Sequence, residues 1–214
     1  MLNIFEHNTI IYVTASLGFI HTIFGLDHYL PFIVLSKANR WSFAKTFLIT
    51  ALCGFAHTLS SVFIGFIGIL IMQNFKKVNL VESFRGELAI WLLISIGFIY
   101  LIWGIKNAKN PQIINSKSNL VTFSMFVVFV LGPCEPLIPL MMHPQVSNHM
   151  FLLLSTVSIF VVITIFTMVC LVLTPLYTFK FLQFKMPVTS VNYAHAFAGG
   201  VIFLSGLSMK LFGL

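Results

Sequence analysis

The sequence predicts an all-α integral membrane protein with six transmembrane helices arranged as two inverted three-helix repeats, helices 1 and 4 being interrupted. Three observations lead to this prediction. Of the 214 residues, 58% are hydrophobic and only 8% are charged, and the mean hydropathy is +1.00. The apolar residues form long segments separated by short basic linkers, and two short motifs recur half a chain apart. Soluble domains carry about 25% charged residues, so we expect little of this chain outside the bilayer.

Six apolar segments are long enough to cross a hydrocarbon core of about 30 Å. They cover residues 10–35, 43–72, 88–105, 120–142, 150–179 and 194–214. We expect a single transmembrane domain over residues 1–214, made of a first repeat of about 1–106, a linker of 107–119 and a second repeat of about 120–214.

The net charge of +7 comes from twelve Lys and Arg against five Asp and Glu. These basic residues lie between the apolar segments, where they meet lipid head groups and set topology, so we expect the lipid bilayer and no nucleic acid as a partner. The first, third and fifth linkers hold eight basic residues against four on the opposite side. This imbalance predicts that both termini are extracytoplasmic.

The repeat is carried by two acidic motifs. Gly25-Leu-Asp27-His28-Tyr-Leu-Pro31 is followed 107 residues later by Gly132-Pro-Cys134-Glu135-Pro-Leu-Ile-Pro139. A carboxylate at membrane depth costs about 2.5–3.5 kcal/mol, so two of them require a partner for their charge. A pair of glycines in the third segment also has the same spacing as a pair in the sixth. Because three helices per half is an odd number, the second half would lie in the membrane inverted relative to the first.

The same motifs predict breaks in helices 1 and 4. On a continuous helix His21 and His28 would lie two turns, roughly 10 Å, apart and could not share an ion. Gly25 and Pro31 permit a break that brings them together. In the fourth segment, three prolines within seven residues prevent regular helical hydrogen bonding.

We expect a metal site where these breaks meet, formed by His21, Asp27, His28, His57, Cys134 and Glu135. Imidazole, carboxylate and thiol together favour Ni(II), Co(II) or Zn(II) over Mg or Ca. The ion would be the transported substrate, with no permanent cofactor, and would pass by alternating access between the halves. Two alternatives stay open at this point: His57 as an interhelical hydrogen-bond donor, and Cys134 as a small apolar filler.

The strings resemble those of known nickel permeases. His21-x5-Asp27-His28 resembles the HX5DH signature of the UreH and HupE/UreJ families, and nickel–cobalt permeases of the NicO group carry a related HX4DH string. Gly54-Phe-Ala-His57 and Gly132-Pro-Cys134-Glu135-Pro resemble the UreH-type family that is often labelled sulfite exporter TauE/SafE-like. The resemblance implies an inner (plasma) membrane protein of the LysE/DsbD-like superfamily that moves nickel or cobalt. The anion-exporter label fits poorly, because two carboxylates lie at membrane depth.

Two other functions are consistent with the sequence. One is thiol electron transfer of the DsbD/CcdA kind, which needs a cysteine in each half, whereas Asp27 occupies the first position here. The other is a non-transporting accessory subunit, in which Glu135 and His28 pair with each other. The chain carries no nucleotide-binding loop or nucleophile motif, so we do not expect an enzyme. The sequence leaves a homo-oligomer open.

Overall fold

Helices form the regular structure of this protein. The computed structural model describes residues 4–70, 75–109, 117–132, 134, 136–181 and 193–212. Of the described residues, 92% are helical and none lies in a strand. The helices are α1 (Ile4–Phe24), α2 (Leu30–Ala38), α3 (Phe43–Leu70), α4 (Phe75–Lys109), α5 (Lys117–Leu131), α6 (Leu137–Met142), α7 (Pro144–Ser147), α8 (Met150–Phe181) and α9 (Ala194–Phe212). A single 3₁₀ turn, Leu26–His28, joins α1 to α2.

Four helices in the described part of the chain are long and apolar enough to cross a membrane, as expected of a multi-pass membrane protein. These spans lie within α3, α4, α8 and α9, over Phe43–Leu70, Val78–Ala108, Met150–Thr178 and Ala194–Leu211. The helices α1 and α2 meet at an angle of 79°. If they are counted together as one broken segment, they form a fifth span. The predicted interruption of helix 1 is therefore present in the structure.

Two predicted segments differ from the observed helices. The third, predicted at 88–105, is longer, because α4 begins at Phe75 and includes Arg85, which the prediction placed in a linker. The fourth, predicted at 120–142, is divided between α5 and α6, and its longest apolar piece, Val121–Leu131, is too short to span by itself. The interruption of this segment is present, whereas a total of six spans stays a prediction.

Helices α4 and α9 pack against each other with their backbones in close approach. A Cβ atom on Gly97 would lie 2.4 Å from the backbone nitrogen of Phe203, and one on Gly104 would lie 2.2 Å from that of Ala196. Because residue numbers rise along α4 as they fall along α9, the two helices are antiparallel. Small residues permit this distance between transmembrane helices, and the dispersion contacts that it allows stabilise the pair.

The remaining helices enclose the two interrupted segments. Helix α3 contacts α5, α6 and α8, and α1 packs along α8. Apolar side chains surround the breaks on both sides, among them Phe32, Phe129, Leu137 and Phe160, each at most 4% exposed. Among the described residues of the two breaks, His28 and Cys134 therefore lie inside the helix bundle.

Candidate metal centre

The first break forms because Gly25 ends α1 and leaves room for an imidazole ring. Gly25 has φ −75° and ψ 86°, outside the helical region, and Pro31 lies in the first turn of α2, where its missing N–H costs nothing. A Cβ on Gly25 would lie only 2.1 Å from Nδ1 of His28, so a larger residue would displace that ring. The turn brings the ring centroids of His21 and His28 to 4.7 Å, in place of the two-turn separation on a straight helix.

His28 and His57 face each other across the bundle. Their Nε2 atoms lie 3.3 Å apart, and both residues are 3% exposed. Nδ1 of His28 has Gly25 O at 3.2 Å and Asp27 Oδ1 at 3.1 Å. Nδ1 of His57 has Phe129 O at 3.3 Å.

These contacts orient both rings. Carbonyl and carboxylate oxygens only accept hydrogen bonds, so Nδ1 of each ring donates to them and both Nε2 atoms point into the same space. The contact between the two Nε2 atoms also has the geometry of a hydrogen bond, in which one Nε2 carries a proton that a bound metal ion would replace. In a tetrahedral zinc-like site with metal–nitrogen bonds of about 2.0–2.1 Å, two nitrogen ligands lie about 3.3–3.4 Å apart. The observed separation of 3.3 Å between the two Nε2 atoms matches that distance.

Cys134 and His21 bring two further donors to this place. Sγ of Cys134 lies 3.7 Å from Nε2 of His21. His21, His57 and Cys134 each offer one ligand atom, and the three atoms lie within 4.8 Å of one another. Cys134 comes from the second break and is fully buried, so the two interrupted segments contribute to one group of donors.

Asp27 contacts the group through His28. Its side chain is 20% exposed, and its Oδ1 is 3.1 Å from Nδ1 of His28. A carboxylate that accepts a hydrogen bond from a metal-binding imidazole fixes the tautomer and raises the basicity of the ligating nitrogen. Asp27 and His28 both lie outside the group formed by His21, His57 and Cys134, and His28 adjoins it through His57.

Glu135 lies outside the described residues, as does Pro133. The structure thus brings together His21, Asp27, His28, His57 and Cys134 of the predicted site. His195, by contrast, interacts with aromatic residues of α4. Its Nδ1 lies 2.7 Å from the hydroxyl of Tyr100, and its ring is edge-to-face with Trp103.

A cavity of about 220 Å³ adjoins the donors and has room for several water molecules. Its polar wall is formed by His21, Asp27, His28 and His57, and its apolar wall comes from α1, α4, α5 and α9. The ring nitrogens and the carboxylate are therefore the principal polar groups that face the cavity.

Sequence reasoning missed Glu82 and Arg85. The two residues form an ion pair inside α4, and Glu82 is only 6% exposed. Ser61 donates to Glu82 Oε1 at 2.8 Å and accepts a hydrogen bond from the backbone N–H of Cys134 at 3.0 Å. The i, i+3 spacing of an acid and a base beside an apolar run was the available signal. Hydropathy alone assigned these charges to a linker.

No family model, curated protein or solved structure matches the chain. The chemistry of the donors is therefore the basis for a function. Three imidazoles, a thiol and a nearby carboxylate form a mixed nitrogen and sulfur set, which suits borderline metals such as Zn(II), Co(II) and Ni(II) rather than Mg or Ca.

Proposed function

We propose that this protein is a membrane transporter for a divalent transition-metal ion, nickel or cobalt in the first instance, and not an enzyme. The observation that carries the proposal is the approach of the Nε2 atoms of His28 and His57, 3.3 Å apart, beside the His21–Cys134 contact. A buried group of metal donors at a helix break, open to a cavity, is the arrangement that transporters use for ions near the middle of the membrane.

The helix ends support two related halves. Helix α1 ends at Phe24 and α5 at Leu131, while α2 begins at Leu30 and α6 at Leu137. Both ends of the second break therefore follow those of the first by 107 residues, which is the offset of the sequence motifs. Two unrelated interruptions have no physical reason to share both limits.

The packing of the helices supports the same relationship. Helix α1 contacts α8 as α3 contacts α5, and α2 contacts α8 as α3 contacts α6. The pairs α3–α8 and α4–α9 join equivalent helices of the two halves. Exchange of the halves converts the first two contacts into each other, does the same for the second two, and leaves the last two unchanged, as expected of a two-fold axis between inverted repeats. Under this proposal the segment from α5 to α7 supplies the sixth span, and alternating access arises as the halves rock about the shared donors.

The resemblance of His21-x5-Asp27-His28 to nickel-permease signatures favours nickel and cobalt among the borderline metals, and it favours an inner (plasma) membrane location. The excess of basic residues in the odd linkers favours extracytoplasmic termini. A thiol relay is less well supported, because Cys53 and Cys134 pack in separate apolar clusters. An accessory role is consistent with a hydrogen bond between the two Nε2 atoms, but it gives no reason for Cys134 to lie beside His21 or for a cavity to adjoin the imidazoles.

The test is flux of radiolabelled Ni²⁺ and Co²⁺ into proteoliposomes. His57→Asn retains an amide N–H in place of the Nδ1 donor to Phe129 O but removes Nε2, so we expect the initial rate to fall by about tenfold or more. His195→Asn makes the same change outside the site and keeps a polar group near Tyr100. We expect this control to stay within about twofold of the wild type. Wild-type flux no higher than that of empty liposomes, or full flux in His57→Asn, would refute the proposal.

A further inference from the structure

Arg85 reaches from α4 to the end of α5, where the second break begins. Its side chain is 12% exposed and its Nη1 donates to Glu82 Oε2. Its Nη2 donates to Val130 O at 2.8 Å, with a longer contact of 3.4 Å to Gly132 O. The same Nη2 donates to Ser60 Oγ at 2.8 Å. One guanidinium therefore connects α3, α4 and α5.

The carbonyl groups at the end of α5 explain why a cation lies there. The last four carbonyls of a helix lack intrahelical partners, and in a membrane protein each needs another donor. Phe129 O accepts from His57, and Val130 O accepts from Arg85. A positive charge at the C-terminus of a helix is also favoured by the helix dipole. Arg85 thus stabilises the broken end of α5 in this position.

A chain of hydrogen bonds continues from Arg85 to the candidate metal ligand. Glu82, held by Arg85, accepts from Ser61 at 2.8 Å, and Ser61 accepts from the backbone N–H of Cys134 at 3.0 Å. The Cys134 backbone is therefore held from α3 and α4. Its Sγ lies 3.7 Å from Nε2 of His21.

We infer that Arg85 is a positioning residue for the transported ion: through Glu82 and Ser61 it holds the thiol of Cys134 beside His21, so that sulfur completes the coordination of a borderline metal. The inference rests on the proposed function, because it explains how one ligand of the transported ion, the thiol of Cys134, is held in place. Arg85 itself does not contact the ion. Its effect is on which donor atoms the ion meets.

The test uses the full-length chain with Cys53→Ser and Cys170→Ser, so that Cys134 is the only thiol. Two quantities are measured. The first is the rate of Cys134 alkylation by N-ethylmaleimide without metal, which reports the placement of the thiol. The second is the near-ultraviolet thiolate-to-cobalt charge-transfer band after addition of Co²⁺, which reports sulfur ligation. The variants are Arg85→Gln, Arg85→Lys and Ser61→Ala. The control is Glu87→Gln, because Glu87 lies on α4 like Arg85 but forms an exposed ion pair with Lys210 of α9.

We expect Arg85→Gln and Ser61→Ala to raise the alkylation rate about tenfold and to reduce the charge-transfer band to less than half, while Glu87→Gln changes neither. Arg85→Lys keeps the charge and should recover part of both. An unchanged alkylation rate and band in folded Arg85→Gln would overturn the inference. If Arg85→Gln does not fold, unchanged values in Ser61→Ala would overturn it. Absence of the band in parent protein that has bound Co²⁺ would refute sulfur ligation and overturn the inference, whereas absence of any Co²⁺ binding would refute the metal site of the proposed function.

Discussion

Replacement of Asp27 by Asn tests how the carboxylate acts on the candidate metal centre. Asp27 Oδ1 accepts a hydrogen bond from Nδ1 of His28 at 3.1 Å, and Nε2 of that ring faces His57. An Asn side chain is nearly the same size and retains a carbonyl oxygen as acceptor. The substitution therefore removes the negative charge while it leaves the hydrogen bond and the packing in place.

The magnitude follows from the strength of the contact. A metal ion on Nε2 makes Nδ1–H a stronger donor, so a carboxylate acceptor gains more from metal binding than an amide oxygen does. Loss of such a carboxylate partner typically costs 10–100-fold in metal affinity, about 1.4–2.8 kcal/mol, and we expect the Kd for Ni²⁺ or Co²⁺ to rise about tenfold. Gly25 O, at 3.2 Å from the same Nδ1, continues to hold the tautomer, so binding should weaken without being lost.

The assay is equilibrium binding of Co²⁺ and Ni²⁺ to the detergent-purified protein, for wild type, Asp27→Asn and Glu87→Gln. The last removes a carboxylate charge from an exposed ion pair with Lys210 and should leave Kd unchanged. A Kd that rises far more than a hundredfold in Asp27→Asn would mean that the carboxylate itself ligates the ion. An unchanged Kd would mean that His28 does not depend on it. Either result would refute the reasoning from the Asp27–His28 contact.

Two further predictions concern the second break and the α4–α9 pair. Cys134→Ser replaces the sulfur donor beside His21, so Kd for Co²⁺ should rise about tenfold in a binding titration, whereas Cys170→Ser, at an exposed position, should leave it unchanged. Gly199→Ala places a Cβ 2.3 Å from the backbone nitrogen of Leu101 and should lower the free energy of unfolding by about 1–3 kcal/mol or more. Its neighbour Gly200→Ala has its nearest atom at 3.9 Å and should be neutral or stabilising by up to about 1 kcal/mol. Equal unfolding free energies for the two alanine variants would contradict the close packing of α4 and α9.

Local rules account for what the sequence could predict at the breaks. Gly25 and Pro31 act on the backbone of their own helix, so the interruption of the first segment and the approach of His21 to His28 could be anticipated. The prolines of the second motif act in the same way on the segment that follows α5. The extent of α4 was mispredicted, because hydropathy scores Glu82 and Arg85 as two charges, whereas in the folded chain they neutralise each other.

The sequence by itself determined the membrane class, the two interruptions and the kinds of donor atom, because composition and backbone chemistry act within a few residues of each other. The tertiary structure alone decided that His57 meets His28 through Nε2 and that Cys134 lies beside His21. It also decided that Arg85 holds the end of α5. These relations depend on how α3 and α4 are rotated about their axes and packed against the second break. A rotation of one residue, about 100°, would direct His57 elsewhere without any change in composition.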